Sequence, residues 1–171
     1  MGTDVVTGAT VEVAVEMDGT AAQIWELISD VGRVGAWSPE CVDAWWVDLE
    51  PPLPRVGARF QGHNRYPGGF EATTDCVVTT VRPPSEFTWV VLDPEALVER
   101  PGSVWSYRLA PAAGRTKVTQ RFVHGPGMTG LRSAADKEPG HAPQVVQARL
   151  SALRRNMLTT LTAMARERTG V

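Results

Sequence analysis

A chain of 171 residues with 43% hydrophobic and 21% charged residues suits one globular domain with a substantial core, and a second domain would be cramped. Its net charge of −2 and pI near 5.9 give no broad attraction for phosphate backbones, which argues against nucleic acid as a partner. The two cysteines have no CxxC or Cys/His spacing, no stretch approaches the roughly 18 apolar residues of a membrane span, and the first residues show no basic and apolar leader. A reduced, cytoplasmic protein without a membrane span is the expectation.

Residues 1–9 read as a flexible lead-in. Over residues 10–16, Val11, Val13 and Val15 alternate with Glu12, Ala14 and Glu16, the period of a half-buried strand. Asp18-Gly19 ends it. Thr20-Ala-Ala-Gln23 has capping-box spacing and starts a short helix whose buried side is Ile24, Trp25, Leu27 and Ile28. Asp30 fits the cap of a second, irregular helical turn, closed by Ser38-Pro39.

Residues 42–48 are β-prone, and the proline-rich stretch 50–55 can only be a loop. In the next strand, 57–65, Phe60, Gly62 and Asn64 face inward, with Arg59, Gln61, His63 and Arg65 on the solvent side. Pro67-Gly68-Gly69 turns the chain into a long strand, 70–82, whose inward set reads Phe70, Ala72, Thr74, Cys76, Val78 and Thr80. Phe87, Trp89 and Val91 mark a fifth strand, and Trp105, Tyr107 and Leu109 a sixth. Val118, Gln120, Phe122 and His124 form the inward side of a seventh. The short connections favour antiparallel neighbours. Residues 125–143 are rich in Gly and Pro, with a brief chance of helix over 131–137; such a segment covers something or is mobile.

No Gly or Pro interrupts residues 144–169, where Val146, Leu150, Leu153, Met157, Leu161 and Met164 recur at spacings of three and four. Gln147, Arg149, Arg154, Arg155, Arg166 and Glu167 fall mostly off that stripe and can be solvated. Pro143 suits a first turn and Gly170 a stop. A helix of roughly 35–40 Å, at 1.5 Å per residue, needs a long partner surface, and the preceding strands supply a sheet.

The order of strand, two short helices, six strands and a long helix resembles the helix-grip fold of the START/Bet v 1-like (SRPBCC) superfamily, and within it the bacterial polyketide cyclase/dehydrase-related branch. The segments that carry the resemblance are Thr20-Ala-Ala-Gln-Ile-Trp25, Trp37-Ser38-Pro39, Gly57-Ala-Arg-Phe-Gln-Gly-His-Asn64, and Trp105-Ser-Tyr-Arg-Leu109 with Gly114-Arg-Thr-Lys-Val118. It implies a single α+β domain over residues 10–169, a curved antiparallel seven-stranded sheet wrapped around the C-terminal helix with a cavity between them. Relatives often carry a large aromatic near the start of the fourth strand. Ala72 here favours a roomier pocket, provided Phe70 does not fill it.

Candidates for the apolar wall of such a pocket are Trp46, Phe60, Phe87, Trp89, Trp105, Tyr107, Phe122, Leu153 and Met157. Candidates for polar anchors are Asn64, Thr74, Tyr107, Gln120 and His124, with Asn64 and Gln120 the sharper choices. Taken singly, each of these reads first as an ordinary core or strand-end residue, while the apolar ones as a set suit a flat or hydrophobic guest. The small inward residues Gly62, Ala72, Thr74 and Cys76 either permit close packing or leave volume. His63 faces outward, His141 lies in the Gly/Pro segment, and His124 alone suits a cavity mouth. No histidine pair has metal spacing and no serine sits in a nucleophile elbow, so neither a metal nor another cofactor is expected.

Aldol-type ring closure or dehydration needs only a proton donor or acceptor beside a carbonyl, for which Tyr107 and His124 are the candidates. The first expectation is therefore binding of a small hydrophobic or aromatic molecule, lipid- or polyketide-like, by a monomer or homodimer. The alternative is a cyclase, aromatase or dehydratase acting in the same cavity. A weaker third is an interaction role through residues 125–143 or 50–55.

Overall fold

Seven strands, β1 (Thr10–Asp18), β2 (Cys41–Trp46), β3 (Arg59–Arg65), β4 (Glu71–Arg82), β5 (Glu86–Val91), β6 (Ser103–Ala112) and β7 (Arg115–His124), pair into one sheet in the computed structural model, which describes residues 4–170. The spatial order is β1-β7-β6-β5-β4-β3-β2, antiparallel throughout. Consecutive strands from β2 to β7 are neighbours, as their short turns require, and β1 returns to close the far edge on β7. The chain crosses from the β1 edge to the β2 edge through helix α1 (Ala21–Ile28) and a 3-10 turn (Val31–Ala36).

The expected capping box is formed: Thr20 Oγ1 accepts from the Gln23 amide at 3.2 Å and Gln23 Oε1 accepts from the Thr20 amide at 3.0 Å. Asp30 caps the 3-10 turn by accepting from the Gly32 amide. Gly35 lets that turn lie directly on the start of β2, since a Cβ there would stand 2.2 Å from the Val42 carbonyl oxygen.

Helix α2 (Gly130–Lys137) forms within the Gly/Pro segment, and helix α3 (Ala142–Thr169) ends the chain with Gly170 as its left-handed cap, φ 70°. Of the expected stripe of α3, Val146, Leu153, Met157, Leu161 and Met164 are buried and Leu150 is half-buried. The helix packs most closely along β1. At its C-terminal end, Glu167 accepts from Trp37 Nε1 at 2.6 Å and pairs with Arg33, while Arg168 donates to the Asp18 carbonyl. Glu167, through Trp37 and Arg33, and Arg149, through a bidentate pair with Glu40 just before β2, hold the helix to the β2 side of the domain rather than sitting free in solvent.

Met17, Ile24, Val78, Phe87, Val118 and Leu161 fill one end of the space between sheet and α3, and α1 covers that end. At the opposite end lie the last residue of β7, the first residues of β2, β4 and β6, and the N-terminal turns of α3. Among the described residues, no helix is long and apolar enough to cross a membrane.

Three local expectations need correction. A β-bulge between Val78 and Thr80 inserts Thr79, so the alternation of β4 resets and Val81, not Thr80, packs onto the core. Phe70 lies in the β3–β4 turn, 67% exposed and stacked on Tyr66, because β4 begins one residue later. Residues 4–9 are docked instead of leading in freely: Val6 is buried with Ala135 and Val146, and Gly8 and Ala9 bond to the backbone of His124. Arg132 ties the same segment to α2 through Asp4 and Thr7. Residues 1–3 fall outside the described part of the chain.

Candidate functional site

The packed end gives way to a cavity of about 960 Å³ between the sheet and α3. β3 and β4 line it with Phe60, Gly62, Asn64, Ala72, Thr74 and Cys76. β5, β6 and β7 add Trp89, Trp105, Tyr107, Gln120, Phe122 and His124, and α3 adds Leu153 and Met157. Volume survives here for two reasons legible in the residues. The inward positions of β3 and β4 are small, and α3 runs nearest β1 at the other edge of the sheet. Phe70 stands at the rim with Tyr66 and leaves the space beside Ala72 open.

Cross-strand register builds the aromatic wall. Trp89, Trp105 and Phe122 are direct partners across β5, β6 and β7 and therefore share one face. The two indoles are parallel within 6° with centroids 6.3 Å apart, and Phe122 meets Trp105 edge-on at 5.0 Å. Phe60 and Tyr107 extend the wall from Trp89 at 6.0 and 5.7 Å.

Two wall candidates belong elsewhere. Phe87 faces inward but lies at the packed end, where Trp25 of α1 covers it at 6.3 Å. Trp46 closes edge-on against Phe60 at 5.5 Å, at the end of the edge strand, and supports that ring instead of lining the cavity.

The polar candidates differ in what they leave available. Asn64 donates to the Gly62 carbonyl at 3.2 Å and to Thr74 Oγ1 at 3.3 Å, and Thr74 donates to the same carbonyl. This pair is engaged in holding the small stretch of β3. His124 is bonded at both nitrogens: Nδ1–H donates to the Gly125 carbonyl at 2.7 Å, and Nε2 accepts from the Thr129 hydroxyl at 2.6 Å. Burial shifts its pKa below the usual histidine value, so the neutral ring acts as a strut between β7 and the start of α2. Tyr107 is fully enclosed, and burial pushes its phenol well above the ordinary value. Gln120 Nε2 donates to the Tyr107 hydroxyl at 3.3 Å, while Gln120 Oε1 is buried without a partner. Burial also raises Cys76 to about 12 and Cys41 to about 11, which keeps both as thiols.

One polar cluster on the wall escaped the sequence reading. Arg149 grips the Glu40 carboxylate with both terminal nitrogens at 2.7 and 2.6 Å, Asn156 donates to the same carboxylate at 3.1 Å, and the guanidinium lies over the Tyr66 ring at 5.6 Å. All four residues line the cavity. The signal was present on α3: Val145, Arg149, Ala152, Asn156 and Thr160 recur at spacings of four, three, four and four, a second stripe beside the apolar one. Small and polar residues on a stripe contiguous with the buried one mark the helix face that looks into a cavity.

An antiparallel sheet gripping a long terminal helix around an aromatic-walled cavity defines a helix-grip domain. Residues 8–158 match the family described as polyketide cyclase / dehydrase and lipid transport. The chain belongs to this family, in the polyketide cyclase/dehydrase branch of the SRPBCC superfamily. A polyketide-cyclase-like protein from Corynebacterium glutamicum, solved by NMR, is 29% identical with a TM-score of 0.64, over 94% of this chain and 91% of that one. The di-domain ARO/CYC StfQ from the steffimycin biosynthetic pathway is 15% identical with a TM-score of 0.71; the match spans 96% of this chain and 53% of StfQ. DynU16, from the dynemicin biosynthetic locus, is 16% identical with a TM-score of 0.56, over 92% of this chain and 46% of its own. No curated protein matches the chain.

Proposed function

We propose that the protein binds a small hydrophobic or aromatic molecule, lipid- or polyketide-like, in the cavity between the sheet and α3. The observation that carries this reading is the row of Trp89, Trp105 and Phe122, three large aromatics on adjacent strands that border open volume rather than one another alone. Apolar surface left against a cavity gains about 25 cal/mol per Å² when a guest covers it, and flat rings add offset or edge contacts. The family description, with one neighbour from a biosynthetic pathway and another from a biosynthetic locus, favours a polyketide-like guest.

Cyclase, aromatase or dehydratase chemistry in the same cavity is the alternative. It would need a group free to move a proton near neutral pH. Tyr107 is held protonated, both nitrogens of His124 are engaged, and Glu40 is paired with Arg149, so binding accounts for more of the arrangement. Native mass spectrometry, on the protein as purified and after incubation with a panel of polycyclic aromatics, tests the reading. A stoichiometric adduct that disappears on denaturation supports it; no adduct with any compound at high micromolar concentration contradicts it. Turnover of a bound polyketide would move the assignment to the enzyme.

A further inference from the structure

The charge inventory of the cavity restricts what can occupy it. Among the described residues, Arg149 is the one guanidinium or ammonium on the wall, and the Glu40 carboxylate already takes it in a bidentate pair. The acids are committed as well: Asp30 caps the 3-10 turn, Asp75 accepts from Gln61, and Asp93 accepts from the Glu95 and Met128 amides. A carboxylate or phosphate guest would enter this wall without a countercharge, which a low-dielectric site penalises heavily.

Within the aromatic wall one polar pair remains incomplete. Gln120 and Tyr107 face each other across β7 and β6, 6% and 4% exposed. The Gln120 amide gives one of its two hydrogens to the phenol oxygen, and beside the second hydrogen it leaves a complementary acceptor and donor: the Gln120 carbonyl oxygen, with no protein donor, and the Tyr107 hydroxyl hydrogen, with no acceptor among the described residues. A buried carbonyl without a donor is uncommon in folded proteins and marks a place where a partner belongs. The group that satisfies an acceptor and a donor set side by side is one that is itself both, and on an organic guest a neutral hydroxyl is the smallest such group.

We propose that Gln120 and Tyr107 form a hydrogen-bonding couple that selects an uncharged guest carrying a hydroxyl on its apolar frame, the hydroxyl donating to Gln120 Oε1 and accepting from Tyr107. The proposal rests on the ligand-binding reading above. It adds a selection rule, under which free fatty acids and anionic lipids are refused although their tails would suit the wall.

Three flat probes of similar size separate the two claims: methylpyrene, hydroxypyrene and pyrenecarboxylate, titrated slightly below neutral pH with tryptophan fluorescence as the readout. Methylpyrene tests the cavity alone. Hydroxypyrene should bind about tenfold tighter than methylpyrene, the usual gain when a guest hydroxyl completes an otherwise unpaired buried group, and pyrenecarboxylate should bind weakest. In Gln120→Leu the preference for hydroxypyrene over methylpyrene should fall to about onefold, and Tyr107→Phe should reduce it in the same direction with only one atom removed. Methylpyrene binding without a hydroxyl preference would overturn the couple and leave the cavity reading standing. A preference that persists in both variants, or pyrenecarboxylate binding as tightly as hydroxypyrene, would also overturn it. Failure of all three probes to bind would overturn both claims.

Discussion

Replacing Arg149 with methionine would leave the Glu40 carboxylate without its bidentate partner while keeping an apolar side chain on that face of α3. Breaking a fully buried ion pair on one side costs about 3–5 kcal/mol. Here the side chains of Arg149 and Glu40 keep 27% and 13% of their exposure, so water screens part of that penalty, and about 2 kcal/mol is the expected loss. The Tyr66 ring loses the overlying cation in the same step, which is included in that figure. For a domain of this size the loss corresponds to a fall in Tm of roughly 4–8 °C. Urea denaturation of the wild type, Glu40→Gln, Arg149→Met and the double variant would measure it as a double-mutant cycle. The double variant should recover about 1 kcal/mol relative to the sum of the singles, since it leaves no uncompensated charge. Amide exchange should also quicken over the first turns of α3, which this pair joins to the β2 side. A loss under about 0.5 kcal/mol in Arg149→Met, or a strictly additive cycle, would refute the coupling.

Three further outcomes follow from the same geometry. Ala72→Trp and Cys76→Trp should each place a ring in the cavity and abolish uptake of an aromatic guest, at a stability cost of about 1–3 kcal/mol; unchanged uptake by both would remove these positions from the binding volume. His124 is harder to protonate folded than at its ordinary value of 6.5, so its contribution to stability is complete above that pH. The contribution is lost as pH falls from 6.5 through the lower folded value. Stability followed between neutral and mildly acidic pH should therefore decline toward acid, and His124→Gln should flatten that slope; an unchanged slope would contradict the strut. Cys41 and Cys76, raised to about 11 and about 12, should react slowly with a disulfide reagent at mildly alkaline pH until denaturant is added. A fast stoichiometric reaction in the native protein would contradict the burial of Cys76 or the raised pKa of half-buried Cys41.

The architecture was legible because it rests on periodicity. The stripe from Val146 to Met164, the alternation in β1, β3, β6 and β7, and the Thr20–Gln23 capping box are local patterns, and each has its expected place in the fold. The errors occur where one residue changes the phase or where a partner is distant in sequence. Thr79 adds a single position to β4 and turns Val81 inward in place of Thr80, and no local pattern in a run of Thr and Val announces it. Phe87 and Trp46 have the right alternation, but their depth along the strands depends on where α1 and Phe60 lie.

The polar part of the site was only half legible. Gln120 and Asn64 could be assigned to the interior from strand phase, yet phase does not tell that Asn64 is engaged with Gly62 whereas Gln120 keeps an unpaired oxygen. Glu40 and Arg149 stand 109 positions apart, and a helical arginine off the apolar stripe is ordinarily solvated. Its membership of a second stripe with Ala152, Asn156 and Thr160 was the available clue. Residues 4–9 docked for a similar reason, since Val6 finds its cover on Ala135 and Val146, far along the chain.

The most direct test of the binding account is an NMR titration of the labelled protein with an uncharged flat aromatic guest. The account predicts that the Trp89 and Trp105 indole signals, with the amides around Gln120, Phe122 and Leu153, shift together and saturate at one equivalent, while exposed apolar residues such as Leu49 and Val56 stay in place. Shifts confined to those surface residues, or no shifts at saturating guest, would contradict it.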